Sequence, residues 1–172
     1  MNYYIVIPAY NEEQFIEVTL QSILNQSLTP KKVVIVNDNS TDKTSEIISK
    51  FETKSPIFKQ ILKVSENIHL PGSKVIQAFE KGLELLDDDY DFIVKLDADL
   101  ILPEHYFEKI ADTFNNDATI GMAGGFAYIE KNNHWILENL TDKDHIRGAF
   151  KAYRKACFKQ IGGLKAAMGW DT

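Results

Sequence analysis

Short apolar runs alternate with stretches whose apolar residues recur at helical spacing, and the alternation persists to about residue 117. Tyr3–Ile7 reads as a buried strand, Pro8 and Asn11 as a turn, and 13–25 as a helix presenting Phe15, Ile16, Leu20, Ile23 and Leu24. The same order returns in a strand over 32–36, a polar turn Asn37–Ser40 and a helix over 41–54. That helix carries Ile47, Ile48 and Phe51 on one face, with Ser40 placed as its N-cap. A third strand over 58–64 leads through Pro71 and Gly72 to a helix over 73–86 striped with Val75, Ile76, Phe79, Leu83 and Leu86. It stops at Asp87-Asp88-Asp89, read as a solvated turn because negative charge is unfavourable at a helix C-terminus. The fourth strand, 92–96, is apolar apart from Lys95 and runs into Asp97-Ala98-Asp99, followed by a helix over 104–114.

Beyond residue 118 the pattern breaks into strand candidates over 121–129 and 148–153, separated by a polar loop. A short helix over 155–161 and Gly162-Gly163 follow. Strands alternating with helices predict an α/β fold around a mainly parallel sheet, whose ligands bind at the carboxyl ends of the strands. The candidate loops 8–12, 37–40 and 97–99 all leave such ends. A length of 172 residues predicts one domain, 1–172.

Composition narrows the function. With 44% hydrophobic and 26% charged residues the chain is neither disordered nor fibrous. A net charge of -6 without a basic stripe argues against nucleic-acid binding. The single Cys157 rules out an intrachain disulfide and a cysteine-rich zinc site, and reads as a small apolar filler. Pro8 cuts the N-terminal apolar run too early for a secretion signal, and no run reaches the about 20 apolar residues of a membrane span. A soluble, cytoplasmic chain is the expectation.

The sharpest chemical feature is Asp97-Ala98-Asp99. Residues i and i+2 of an extended segment point to one side, so both carboxylates can face one ligand. Two carboxylates without His or Cys make a hard-oxygen site suited to Mg²⁺ or Mn²⁺. With 25 acidic residues such a triplet arises easily by chance, but its place at the exit of an apolar strand gives it weight. Asp38 stands at the end of the second strand, where a carboxylate can accept hydrogen bonds from a base or ribose. Helix capping accounts for Ser40 through Asp42 and leaves Asp38 unexplained. The sequence holds no dinucleotide-binding Gly-x-Gly-x-x-Gly, no phosphate loop, no His-Glu-x-x-His and no Gly-x-Ser-x-Gly.

In order along the chain, four segments resemble the motifs of family-two glycosyltransferases, inverting enzymes of GT-A fold. They are Ile-Pro-Ala-Tyr-Asn-Glu at 7–12, Val-Asn-Asp-Asn-Ser-Thr-Asp at 36–42, Lys-Leu-Asp-Ala-Asp at 95–99, and Ile-Gly-Gly-Leu with Gly-Trp-Asp at 161–171. The resemblance implies a GT-A-type three-layer α/β/α sandwich. Its Rossmann-like half, 1–117, binds a nucleotide sugar, and 118–172 faces the acceptor. On this mapping Pro8, Ala9, Tyr10 and Glu12 lie against the nucleotide and Asp38 meets the base or ribose. Asp97, with Ala98, helps hold the nucleoside, while Asp99, with Asp97 beside it, binds Mn²⁺ or Mg²⁺. Asp171 is the base that deprotonates the acceptor hydroxyl.

Other positions leave alternatives open. Lys74 is either a phosphate contact or a surface lysine, since Gly72-Ser73-Lys74 departs from the family's Gly-Lys-Gly. Trp170 is a platform for a sugar ring or a partly buried anchor, and Gly162-Gly163 a close approach to the donor sugar or a helix C-cap. Asp142 to His145 could supply a further metal ligand or base, or be a solvated loop. The implied partners are a nucleotide-diphosphate sugar, UDP-sugar favoured, and a glycan or lipid-linked acceptor, met in the cytoplasm or at the cytoplasmic face of a membrane. Because Asp171 precedes the last residue, Thr172, the resemblance also implies a catalytic domain truncated at its C-terminus. A catalytically inactive nucleotide-sugar-binding module is the alternative.

Overall fold

The computed structural model describes residues 1–62, 73–138, 142 and 145–165. Its elements are β1 (Tyr3–Ala9), α1 (Ile16–Leu24), β2 (Lys32–Asn37), α2 (Thr44–Lys54), β3 (Phe58–Leu62), α3 (Ser73–Leu83) and β4 (Phe92–Leu96). They continue with α4 (Tyr106–Asn116), β5 (Met122–Ala123), β6 (Tyr128–Lys131), β7 (His134–Leu137), β8 (Phe150–Arg154) and α5 (Lys155–Gln160). Six strands form one sheet in the order β3-β2-β1-β4-β8-β5. The first four are parallel, and β8 runs antiparallel to both β4 and β5. The sheet is therefore mainly parallel, as expected.

Both faces of the sheet are covered, which explains why its central strands β1, β2 and β4 read as mainly apolar runs. Tyr3, Ile5 and Ile7 point to one side with Phe92, Val94 and Leu96, where α1, α2 and α4 contribute Leu20, Ile48 and Phe107. Tyr4, Val6, Val34, Val36 and Ile93 point to the other, against Ile76 and Phe79 of α3 and Phe158 of α5. On that second face Gly82 lets α3 press onto the sheet, since a Cβ there would lie 2.4 Å from a Val6 methyl. Three layers follow directly from two apolar stripes on one sheet.

Some expectations change. β1 extends through Pro8 to Ala9 instead of ending at Ile7. Pairing of β1 with β4 stops at Val6, so Pro8 lies where one side of the strand is already an edge, a position that tolerates proline. The strand expected over 121–129 is split into β5 and β6. Part of the supposed polar loop is β7, which pairs with β6 as a hairpin. Asn132 and Asn133 turn it with φ of 54° and 59°, the left-handed pair that a two-residue hairpin loop requires. All eight hairpin residues are exposed, and the pattern carries no inward face to betray it.

The acidic run does form a turn, but an ion-paired one. Asp87 meets Lys32 at 2.5 Å, Asp88 meets Lys159 at 2.6 Å, and Asp89 pairs with Lys31. Hydrogen bonds from Lys32 and from the Tyr4 hydroxyl hold the Asp87 carboxyl far below the usual range, while Lys159 and Lys31 lower Asp88 and Asp89. Carboxyls depressed in the folded state add stability above their unfolded value, about pH 4, and lose it as pH falls through the folded values. Thermal unfolding should thus show a midpoint that drops as pH is taken from about 5 to about 2. The triple Asp→Asn variant at 87–89 should show a shallower drop; an identical slope would mean these pairs contribute nothing.

Candidate functional site

β2, β1 and β4 are neighbours running in one direction, so their carboxyl ends deliver the loops 10–15, 38–43 and 97–105 to a single edge of the sheet. Ala9 and Asn37 are in register at that edge, and the Asp38 N–H donates to the Ala9 carbonyl at 2.9 Å. Asn11 and Asn39 take left-handed φ of 55° and 59°, which folds each loop back on itself.

The first two loops clamp each other. The Asn11 N–H donates to Ser40 Oγ at 3.0 Å, and the Thr41 N–H returns a bond to Asn11 Oδ1 at 2.8 Å. The Glu12 N–H donates to Thr44 Oγ1 at 2.7 Å, the Glu13 N–H to Asp42 Oδ2 at 3.0 Å, and the Lys43 N–H to Glu13 Oε2 at 3.0 Å. Ser40 is therefore not the expected N-cap. α2 starts at Thr44, whose N–H is met by Asp42 Oδ1 at 3.0 Å. Capping and clamping use the same side-chain oxygens, and only the neighbouring loop decides between them.

The third loop rests on α1. Thr19, fully buried, donates from Oγ1 to the Ala98 carbonyl at 2.8 Å and accepts the Leu100 N–H at 3.1 Å. Ser22 Oγ accepts the Leu102 N–H at 3.2 Å, and Gln26 bonds the Pro103 carbonyl at 2.8 Å and the Phe107 N–H at 3.2 Å. Thr19 and Ser22 of α1, with Gln26 just past its end, hold the backbone at Ala98 and on to Phe107 from beneath. Sequence reading missed them, although polar residues at positions 19, 22 and 26 of an otherwise apolar stripe were the available signal. Thr19→Val keeps the shape and removes both bonds, leaving a buried carbonyl and an N–H unmatched. It should cost about 1–3 kcal/mol in urea unfolding. A variant as stable as the parent would show that Thr19 does not hold the loop.

Ala98 is buried, Asp97 partly exposed and Asp99 exposed, so the triplet presents its carboxylates outward from a fixed backbone. The Asp97 N–H donates to the Ala149 carbonyl at 2.7 Å, extending the ladder between β4 and β8. Glu12 stands within the field of these groups. Burial, then the negative charges of Asp99, Asp97 and Asp42, push its carboxyl above the usual range. Such crowding of carboxylates suits a divalent cation, which would relieve it. Among the described residues no three His, Cys, Asp or Glu side chains converge into a metal cage. Two carboxylates, Asp97 and Asp99, are the donors the site offers a hard divalent cation, which would take its other oxygens from water or phosphate.

The remaining candidates are less closely placed. Pro8 and Ala9 end β1, and Tyr10 is 60% exposed beside them. Lys74 is half-buried in the first turn of α3. Gly162, at φ 76°, and Gly163, at φ 84°, close α5: their N–H groups donate to the carbonyls of Lys159 and Phe158, the crossed pattern of a glycine C-cap. His145 donates its N–H to the Asp142 carbonyl at 3.0 Å, a local turn, while Asp144 lies outside the described residues. Trp170 and Asp171 also lie outside them.

Comparison with known proteins gives the family and the fold of the chain. The chain is 28% identical over 186 residues to poly-beta-1,6-N-acetyl-D-glucosamine synthase of Staphylococcus aureus, an alignment covering 97% of this chain and 41% of that protein. It is 30% identical over 130 residues to an uncharacterized glycosyltransferase of Haemophilus influenzae, covering 76% of this chain and 33% of that one. The chain thus spans well under half the length of these curated relatives. Among solved structures, the mannosyltransferase PcManGT from Pyrobaculum calidifontis in complex with GDP-Man and Mn²⁺ superposes with a TM-score of 0.72 at 19% identity, covering 99% of this chain and 49% of that one. S. aureus TarS 1–349 in complex with UDP gives 0.71 at 20% identity, covering 99% and 53%. These likenesses make the fold GT-A, the three-layer sandwich expected from the motifs. The family model for Glycosyl transferase family 2 matches residues 4–164, nearly the whole chain with all three site loops inside it, and the protein belongs to that family.

Proposed function

We propose that the chain binds a nucleotide-diphosphate sugar at the carboxyl edge of β2, β1 and β4 and transfers the sugar to an acceptor hydroxyl with inversion. The observation that carries this reading is the clamp between the first two loops, which holds Glu12 within the field of Asp97 and Asp99 on the edge where Asp38 follows β2. Pro8, Ala9, Tyr10 and Glu12 line the nucleotide. Asp38 accepts hydrogen bonds from the base or ribose, Asp97 and Ala98 hold the nucleoside, and Lys74 approaches the phosphates.

Asp99, with Asp97, would hold Mn²⁺ or Mg²⁺, which when bound offsets charge gathering on the departing diphosphate. Residues 118–172 form the acceptor side, with Gly162, Gly163 and Trp170 near the donor sugar. Asp171 takes the proton of the acceptor hydroxyl as that oxygen attacks the anomeric carbon. Inversion requires attack from the side opposite the diphosphate, so base and cation flank the sugar.

Family membership and relatives named as polysaccharide synthases support a UDP-sugar donor and a glycan or lipid-linked acceptor in polysaccharide biosynthesis. Among the described residues no helix is long and apolar enough to cross a membrane. We place the reaction in the cytoplasm or at the cytoplasmic face of a membrane. The test is a calorimetric panel of UDP, GDP and dTDP with and without Mn²⁺, followed by transfer assays. UDP binding that needs the cation supports the reading. Absence of binding in every combination overturns it, and binding without turnover leaves the inactive-module reading in its place.

A further inference from the structure

β4 is buried along its whole length, yet it contains a lysine. Lys95 is 2% exposed, in the central region of the sheet. Directly across the ladder stands Lys151 of β8, 6% exposed, so two lysine stems enter the interior side by side. Burying an ammonium is costly unless it is paired, and no ordinary packing requirement of an apolar strand calls for one. Like charges opposite each other on a ladder repel, which favours an oppositely charged destination for the ammonium of Lys95. That destination is in place. Lys95 and Asp97 lie two residues apart on one side of the extended chain, and Lys95 Nζ donates to Asp97 Oδ1. Asp97, with a side chain 39% exposed, links this buried cation to the open edge of the sheet where Asp99 stands.

We propose that Lys95 is a positioning residue for the Asp97–Asp99 pair. Its buried ammonium fixes one oxygen of Asp97 and offsets part of that carboxylate's charge, so the pair presents less negative charge than two carboxylates without that lysine would. The inference rests on the nucleotide-sugar reading above and deepens it. The less negative the edge, the more positive charge a bound divalent cation leaves there to attract an anionic diphosphate. Without the ammonium the edge is one charge more negative and would hold the bare cation more tightly.

This makes a signed prediction for Lys95→Met, which keeps the length of the stem and removes the charge. At low salt, Mn²⁺ alone should bind roughly three- to tenfold more tightly than to the parent, because one buried positive charge beside Asp97 is gone. UDP at saturating Mn²⁺ should bind about tenfold more weakly, and Lys95→Arg should return both values toward the parent. A purely structural role would loosen the loop and weaken both, so the opposite signs are the diagnostic readout. Loss of both affinities together, or no change in either, overturns the proposal while leaving the nucleotide-sugar reading intact. A parent protein that binds neither Mn²⁺ nor UDP overturns both.

Discussion

Asp99→Asn is expected to lower UDP affinity measured with Mn²⁺ by about 100-fold or more, close to 2.7 kcal/mol, while leaving stability within about 0.5 kcal/mol of the parent. The two halves of that expectation have separate causes. Asp99 is exposed near the start of a loop whose backbone is held by Thr19 and the β4–β8 ladder, so an amide of the same shape changes no packing. Its charge is what a hard divalent cation needs, and a neutral amide oxygen replaces it poorly. In EDTA the parent and the variant should bind UDP alike. The substitution should also let the Glu12 carboxyl fall back toward its ordinary range, since Asp99 is the largest of the charges pushing it up after burial itself. Titration calorimetry with and without EDTA checks the first claim and urea unfolding the second. Equal affinity in parent and variant with Mn²⁺ would remove Asp99 from the cation site.

The second large effect is one of stability without binding. Phe92→Ala should destabilise the fold by about 3–5 kcal/mol, read from urea unfolding, with UDP affinity unchanged where the protein is still folded. Phe92 is fully buried at the start of β4, stacked on Tyr3 at 4.8 Å with the rings 1° from parallel, and tilted against Phe114 at 5.4 Å. Alanine there removes the ring that joins β1 to α4 and leaves a cavity among aromatic neighbours that cannot collapse around it. Phe92 sits at the amino end of the strand and Asp97 just beyond its carboxyl end, so the core loss is felt far from the site. A cost under about 1 kcal/mol would mean the layer between β1 and α4 repacks freely.

The two variants separate the parts of the molecule that local sequence describes from those it does not. β1, β2 and β4 were legible because strands buried on both faces must be apolar throughout, and α1 to α4 because their core-facing residues recur every three or four positions. The order of the site loops followed from the same alternation, since each strand of a parallel sheet must deliver its loop to one edge. The hairpin β6–β7 was not legible: with every residue exposed it has no inward face, and Asn132-Asn133 is a weak turn signal beside Asn-Gly.

Residue by residue, the sequence determined which chemistry was available: carboxylates at Asp38, Asp97 and Asp99 after apolar strands, and a family motif order to match. Tertiary structure alone decided how those groups are held. Ser40 and Thr41 became a clamp on Asn11 instead of a helix cap, because a hydroxyl bonds to whichever backbone packs beside it. Thr19 became a support for Ala98 and Leu100 across 79 and 81 residues of chain. Lys95, an anomaly in an apolar run, became the partner of Asp97 beside a second buried lysine that only the β4–β8 register brings opposite it. Composition and periodicity report what a residue can do locally. Which partner a buried polar group must find is set by strands that meet only when the sheet closes, and that pairing leaves no trace in a local pattern.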